Sequence, residues 1–149
     1  MNPANMIPVL LVLFAGGMIA LQAPTNAMLA KAGGSPVLAA LISFAVGTLV
    51  LLVVALGSGQ RPRTAAFAGL PAYVWFGGAY GAAYVAIAAY AAPRIGLASL
   101  ITLGIAGQIA SALLLDHVGA FGLPREPVNL GRVLGAILVV AGVVLVRRS

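Results

Sequence analysis

Five long apolar stretches alternate along the chain with short breaks that are rich in glycine, proline and charge. The stretches cover residues 7–29, 37–56, 71–92, 97–115 and 130–146. A helix needs about 20 mainly apolar residues to cross the hydrocarbon core of a bilayer. The runs are continuous, whereas strands of a membrane barrel would alternate with a period of two. The pattern predicts an all-α membrane protein with five transmembrane helices, forming one transmembrane domain over residues 1–149.

The first stretch is expected to stay in the mature protein and not to act as a signal peptide. No basic segment precedes it, and it is longer than the apolar region of a signal peptide. It also carries Gln22, Pro24 and Asn26 where a cleavage site would need small residues.

The composition excludes several classes of function. Hydrophobic residues make up 62% of the chain and charged residues 7%, whereas about a quarter of a soluble domain is charged. There is no cysteine, one histidine and two acidic residues, which leaves no thiolate site and too few ligands for an ordinary zinc site. The basic residues are scattered and form no nucleic-acid patch. We therefore expect a protein of the lipid bilayer, with no enzymatic activity, cofactor, metal or nucleic-acid partner.

The charges that flank the five predicted spans are balanced between the two sides of the membrane. One side would hold Arg61, Arg63, Arg125 and Arg132. The other would hold Lys31, Arg94, Arg147 and Arg148. Since Lys/Arg bias sets orientation, four against four predicts insertion in both orientations and an antiparallel homodimer. The alternative is one orientation, decided by unequal loop lengths or by Arg132 lying inside its helix.

Polar side chains within the spans are the candidates for contact with a transported molecule, because each is costly in lipid unless it is paired. Gln22 and Asn26 are four residues apart and share one face of the first helix, with Pro24 between them as a predicted kink. Ser43 adds a hydroxyl in the second span. The alternative role for these groups is hydrogen bonding between helices that only stabilises packing.

The third and fourth spans add aromatic, small and polar side chains. Tyr80 and Tyr84 lie near mid-membrane on one face of the third helix, beside Gly77. The fourth helix carries a small and polar strip formed by Gly104, Gly107, Gln108 and Ser111. We expect the amide, hydroxyl and phenol groups to bind substrate, and the glycines and Pro24 to permit movement or close packing.

Asp116 and His117 follow the fourth span at the membrane interface. A carboxylate near the C-terminal end of a helix is unfavourable, so Asp116 should have a cationic partner, with Arg125 and Arg132 nearest in sequence. The group Asp116, His117 and Arg132 is either a proton-sensing gate or a salt-bridged loop anchor. No ionisable residue lies well inside a span, which disfavours exchange of cations for protons. It favours a neutral or weakly charged molecule that carries hydroxyl, sugar or aromatic groups.

Three segments resemble one known family: GGMIALQAPTNAMLAKAGGSPVLAALISFAVGTL, GQIASALLLDHVGAFGLP and GRVLGAILVVAGVVLV. They are similar to the YdcZ-like branch of the drug/metabolite transporter superfamily, which is related to the small multidrug resistance proteins. The resemblance implies a five-helix half-transporter of the bacterial inner membrane that works as a dual-topology dimer or as paired halves. The family's motif positions would be Gln22, Pro24, Asn26, Ser35, Pro36, Ser43, Gly107, Gln108, Ser111, Asp116 and His117. The chain lacks the first-helix glutamate of the multidrug relatives, which argues against proton coupling and cationic substrates.

The leading functional hypothesis is an exporter of small neutral or aromatic metabolites that works by alternating access in an antiparallel homodimer. A passive channel for ions or water is the first alternative, although it would need a continuous polar lining or charged rings. A membrane subunit that transports nothing and stabilises a partner is the second.

Overall fold

The computed structural model describes residues 6–60 and 67–148, and within them the secondary structure is helical. The five α-helices are α1 (Met6–Gly33), α2 (Pro36–Gly57), α3 (Gly77–Ile95), α4 (Leu97–Val118) and α5 (Leu130–Arg148). Two compact units contain them, Met1–Arg94 and Ile95–Ser149. Arg61 and Arg63, counted above for orientation, lie outside the described residues, as does the side chain of Arg147.

The all-helical prediction is confirmed for the described residues, and four of the five predicted spans are long and apolar enough to cross a membrane. These four are Met6–Gly33, Pro36–Gly57, Ala72–Ile95 and Leu97–Val118. The apolar part of α5, Leu130–Val146, is shorter than the other four. Its 17 residues would extend about 25 Å as an α-helix, less than a hydrocarbon core of about 30 Å. A fifth crossing therefore remains a prediction.

In the first unit, α1 and α2 pack together as a helical hairpin. The turn is sharp because Gly34 adopts a φ of +71°, a conformation that glycine reaches without steric cost. Ser35 then caps α2, its hydroxyl accepting a hydrogen bond from the backbone N–H of Leu38 at 3.3 Å, and Pro36 occupies the first turn. The sequence Gly-Ser-Pro therefore both ends α1 and starts α2.

Pro24 lies inside α1, which continues through it as one helix. Proline has no N–H, so the carbonyl of Ala20 loses its usual helical donor. On the next residue, the Thr25 hydroxyl donates to the carbonyl oxygens of Leu21 and Gln22, at 3.1 and 2.9 Å. The helix assignment is therefore unbroken at Pro24, and the kink at this position stays a prediction.

The third span differs from a uniform helix. It begins as a 3-10 helix over Ala72–Phe76 and becomes α-helical at Gly77. Pro71 precedes the 3-10 segment, and two successive glycines, which favour helix poorly, stand at the transition. α3 also continues past Pro93 to Ile95, since a proline so near the C-terminal end removes few hydrogen bonds, and Gly96 at φ +80° separates it from α4.

In the second unit, α4 packs against α5. α4 ends at Gly119, which adopts the left-handed conformation with φ of +66°, and a short 3-10 turn follows over Ala120–Gly122. Asn129 caps α5, its Oδ1 accepting a hydrogen bond from the N–H of Arg132 at 3.0 Å. Arg132 therefore lies in the first turn of α5, at the boundary between loop and helix.

Small residues form most of the buried interior. Of nine buried apolar residues in the described chain, six are alanine: Ala23, Ala39, Ala40, Ala88, Ala89 and Ala92. The other three are Val85, Leu100 and Val143. Small side chains let helix backbones approach closely, which is the usual way helices associate in lipid. Large apolar side chains such as Leu52 and Leu138 stay exposed on each unit, as expected for surfaces that face acyl chains or another chain.

Candidate functional site

The first unit contains a cleft between α1 and α2, here called the α1–α2 cleft, with a volume of about 190 Å³. Its lining residues are Gln22, Ser43, Phe44, Gly47, Thr48 and Leu51. The hairpin creates it because α1 and α2 run antiparallel from the turn at Gly34, which brings the middle of α1 beside the middle of α2. The structure thus brings together Gln22 and Ser43, two of the side chains predicted to bind substrate.

The polar groups of this cleft have unused hydrogen-bonding capacity. Within the part of the chain that the structure describes, the side chains of Gln22, Ser43 and Thr48 have no hydrogen-bond partner. Thr25 and Thr102 behave differently, since each hydroxyl donates to carbonyl oxygens of its own helix. One amide and two hydroxyls therefore remain available to a molecule that enters the cleft.

Asn26 lies one turn beyond Gln22 on the same face of α1. Among the described residues, Asn26 is the one polar residue that is buried, with 3% of its surface exposed. Its side chain makes no hydrogen bond to any described residue. No fully buried side-chain N or O atom of the described residues lacks a hydrogen-bond partner, so the Asn26 amide keeps a slight exposure through which a ligand or a second chain could contact it.

The predicted aromatic stripe is present on α3 but does not reach the α1–α2 cleft. Tyr80 is 69% exposed and Tyr84 36% exposed, and neither lines the cleft. Around Gly77 the space is open, whereas a Cβ on Gly81 would lie 3.1 Å from the ring of Phe44 on α2. The Phe44 side chain of α2 therefore lies against α3 at Gly81, one turn from Gly77.

The polar strip of the fourth helix lies in the second unit. Gln108 and Ser111 are exposed on α4, three residues apart, and have no hydrogen-bond partner among the described residues. Gly107 is exposed with open space around it, and Gly104 is half-buried. The amide and the hydroxyl occupy neighbouring positions on the helix and are accessible from outside the unit.

Arg132 joins the two acidic residues of the chain. Its guanidinium lies 3.5 Å from the Asp116 carboxylate and 3.0 Å from the Glu126 carboxylate, and it also donates to the backbone carbonyl of Glu126 at 3.0 Å. The N–H of Glu126 in turn donates to the carbonyl of Asp116 at 2.8 Å. Of the two cations considered for Asp116, Arg132 is the one that contacts it.

His117 is held by the loop between α4 and α5. Its Nδ1 accepts a hydrogen bond from the N–H of Val128 at 3.2 Å, and its backbone carbonyl accepts one from Nε of Arg125 at 3.0 Å. These contacts fold the loop back on the end of α4. The roles of Asp116, His117 and Arg132 as a gate remain a prediction, while their contacts anchor the loop.

Three polar or aromatic residues that take part in these contacts were not singled out from the sequence: Phe44, Thr48 and Glu126. Thr48 had a usable signal, since Ser43 and Thr48 are the hydroxyl residues within α2 and lie beside Gly47 on its small-residue strip. Glu126 had a weaker signal, as the second of only two acidic residues. Phe44 had none. Among the described residues, no three His, Asp or Glu side chains gather as metal ligands would.

Comparison with known protein families identifies one match. Residues 7–145 match a family model described as "Putative inner membrane exporter, YdcZ". The match begins at the first turn of α1 and ends near the end of α5. No curated protein and no solved structure matched the chain. The resemblance carried by the LQAPTN, GSP and GQ…DH segments is thereby confirmed, and the family is one of inner membrane exporters, not of enzymes.

Proposed function

The chain belongs to the YdcZ family of inner membrane exporters, and on that premise we propose that it exports a small neutral molecule with hydroxyl, sugar or aromatic groups. Transport would proceed by alternating access in an antiparallel homodimer. Gln22, Asn26 and Ser43 would hydrogen-bond the substrate on the first unit, and Gln108 and Ser111 would do so on the second. Tyr80 and Tyr84 would stack on it.

The α1–α2 cleft is the observation that carries the proposal. Gln22, Ser43 and Thr48 line it without hydrogen-bond partners among the described residues, one turn from the buried amide of Asn26. In lipid such groups are costly unless they face water, a ligand or another chain. A hydroxylated substrate supplies hydrogen-bond partners to these side chains while it is bound. It dissociates when water replaces them as the partner of its own hydroxyl groups.

The chemistry of the lining supports an uncharged substrate. No ionisable side chain lines the α1–α2 cleft. The ionisable groups of the spans lie at helix ends, with Lys31 and Arg94 in the last turns of α1 and α3 and Arg132 in the first turn of α5. A permanent charge in the cleft would have no counter-charge, so a neutral molecule is favoured.

The size of the cleft supports assembly of two copies. About 190 Å³ is smaller than the roughly 300 to 1,000 Å³ of common ligand sites, so one hairpin provides part of a chamber. Many transporters place their substrate between two inverted repeats near the middle of the bilayer. A second copy inserted in the opposite orientation supplies an inverted repeat, and the balanced flanking charges allow both orientations.

Counterflow in proteoliposomes tests the proposal. Vesicles that contain purified protein are loaded with a mixture of unlabelled sugars and aryl glycosides, and uptake of each labelled compound is followed. At least one compound should show saturable uptake that unlabelled competitor inhibits. In Gln22→Leu that uptake should fall about tenfold, since one buried hydrogen bond is worth roughly this factor in binding.

Thr25→Val is the matched control for Gln22→Leu. Thr25 is a polar residue on the same helix, but its hydroxyl is satisfied by carbonyls of α1 and its position is exposed. This variant should transport like the natural protein. Equal uptake by Gln22→Leu and the natural protein would remove the proposed site, and uptake that never saturates would indicate a channel.

A further inference from the structure

A second cleft of the first unit collects positive charge at one end of its helices. This Lys31–Arg94 cleft has a volume of about 520 Å³ and opens to the surface. It is lined by Ala27, Met28, Ala30, Lys31, Gly34, Pro36, Ala89, Pro93 and Arg94. Lys31 comes from the last turn of α1 and Arg94 from the last turn of α3, and Pro36 at the start of α2 also lines the cleft. Two cations that are 63 residues apart in sequence thus line the same cleft.

No carboxylate side chain of the same unit can balance these cations. Residues 1–94 contain no Asp or Glu, and the two acidic residues of the chain are Asp116 and Glu126. Both of those contact Arg132 in the other unit. The remaining lining of the cleft is alanine, glycine, proline and methionine. No side chain of the first unit therefore neutralises Lys31 or Arg94, and both are exposed to an anion from outside.

Helix dipoles account for part of this arrangement. Each helix C-terminus carries about half a negative charge, which favours a cation in the last turn. The C-terminal ends of α1 and α3 together offset about one of the two positive charges of Lys31 and Arg94. About one positive charge remains uncompensated at the mouth of the cleft, where both side chains are exposed to an approaching anion.

The guanidinium of Arg94 is held in a defined position. It stacks over the Tyr90 ring at 3.6 Å from the ring centroid, and Nη1 donates a hydrogen bond to the Tyr90 carbonyl. A guanidinium has five N–H donors, so these contacts leave others available to a ligand. Stacking also limits the rotamers of a long side chain, which lowers the entropy cost of binding.

From these observations we infer that the Lys31–Arg94 cleft binds a phosphate group. Phosphate accepts hydrogen bonds from an arginine fork and a lysine ammonium together. At the end of membrane-spanning helices, one source is the headgroup of an anionic phospholipid, and the other is a free phosphate-bearing molecule. The site differs from the uncharged α1–α2 cleft and does not depend on what that cleft transports.

Thermal unfolding of the purified protein in an uncharged detergent tests the inference. The midpoint is measured with phosphatidylglycerol, with phosphatidylcholine, and with inorganic phosphate against sodium chloride at equal ionic strength. Phosphatidylglycerol or phosphate should raise the midpoint above its uncharged or chloride reference. A response to phosphatidylglycerol alone identifies a lipid site, whereas a response to both identifies a site for phosphate from either source.

Variants locate the response in the cleft. Lys31→Gln with Arg94→Gln should weaken the apparent affinity at least about tenfold, because two charge-assisted contacts are lost. The charge-preserving pair Lys31→Arg with Arg94→Lys should retain most of the response. Arg148→Gln, which removes an exposed cation outside the cleft, should retain all of it. If the double glutamine variant does not fold, Lys31→Gln alone serves, since Lys31 is exposed.

Two results would overturn the inference. One is a midpoint of the natural protein that neither phosphatidylglycerol nor phosphate changes. The other is a response that is the same size in the double glutamine variant, or in Lys31→Gln, as in the natural protein.

Discussion

The carboxylate of Asp116, in the last turns of α4, lies 3.5 Å from the guanidinium of Arg132, in the first turn of α5. The same guanidinium contacts Glu126 in the intervening loop, through both its carboxylate and its backbone carbonyl. One side chain thus connects the end of a helix, the loop that follows and the start of the next helix. The connection relieves a carboxylate placed at the unfavourable end of the α4 dipole.

Arg132→Gln should destabilise the second unit. The variant removes two ion pairs and weakens a hydrogen bond to the Glu126 carbonyl. Since the paired side chains are 30 to 60% exposed, we expect a loss of about 1 to 2 kcal/mol in the free energy of unfolding. Reversible unfolding in mixed detergent micelles measures it.

Two further variants divide this loss between the partners. Glu126→Gln should cost more than Asp116→Asn, because Asp116→Asn also removes an unfavourable charge from the end of α4. Arg148→Gln, at the other end of α5, controls for loss of a cation and should change little. An Arg132→Gln variant as stable as Arg148→Gln would show that the ion pairs contribute nothing.

Gly119→Ala and Gly122→Ala should differ although both glycines have positive φ. At Gly122, with φ of +76°, a Cβ meets nothing within 4 Å, so alanine should cost only the backbone strain of about 1 to 2 kcal/mol. At Gly119, with φ of +66°, a Cβ would lie 3.2 Å from Cβ of Arg125 and 3.4 Å from the carbonyl oxygen of Leu123. Alanine there should cost more, because the loop must also move.

The same unfolding measurement compares the two alanine variants. Both variants strain the backbone by a similar free energy. The difference between their free energies of unfolding therefore reports how tightly the loop packs on the end of α4. Equal losses at the two positions would mean that the loop does not stay against Gly119.

Asn26→Leu should separate stability from function. Leucine has similar size and needs no hydrogen bond, and no described residue hydrogen-bonds the Asn26 amide, so the free energy of unfolding should stay the same or rise slightly. Transport should fall strongly if the amide binds substrate. Unfolding and counterflow on the same preparation give both values.

The opposite result for Asn26→Leu would identify a structural amide. Loss of stability together with unchanged transport would mean that Asn26 has a hydrogen-bond partner in the assembled protein. Ser43→Ala, at a half-buried hydroxyl of the cleft, provides a comparison of smaller size on the facing helix.

The orientation of the chain in the membrane should respond to single charges. Because the predicted flanking charges are four against four, one added lysine should shift the ratio of the two orientations. Gln60→Lys and Ala32→Lys lie on opposite predicted sides and should shift it in opposite directions. The chain has no cysteine, so Ser149→Cys adds a unique label site at the C-terminal end without changing the count of flanking charges.

Labelling with an impermeant thiol reagent, before and after the membrane is opened, measures the ratio. In an otherwise natural chain, about half of the cysteines should be accessible from each side. A single orientation that neither added lysine alters would exclude the dual-topology homodimer, while leaving membership of the exporter family unaffected.

The sequence by itself determined the class of this protein and most of its helices. Continuous apolar runs of about 20 residues have one stable solution in lipid, since a helix satisfies all its backbone hydrogen bonds internally. The Gly-Ser-Pro turn and the glycine at the end of α4 are local signals that place helix ends. Family membership could likewise be predicted, because each of the LQAPTN and GQ…DH segments is a continuous run of residues that can be recognised without knowing the fold.

Only the tertiary structure decided which side chains meet. Gln22, Ser43 and Thr48 share a cleft because of the register of the α1–α2 hairpin, whereas Tyr80 is exposed and does not line that cleft. Lys31 and Arg94 line one cleft, and Arg132 pairs with Asp116 and Glu126, because the fold of each unit places these distant residues together. Helix periodicity defines which residues share a face of a helix. Which faces touch depends on how small residues pack between helices. Because the chain has 19 glycines, many such packings are compatible with the sequence, and the sequence alone does not choose between them.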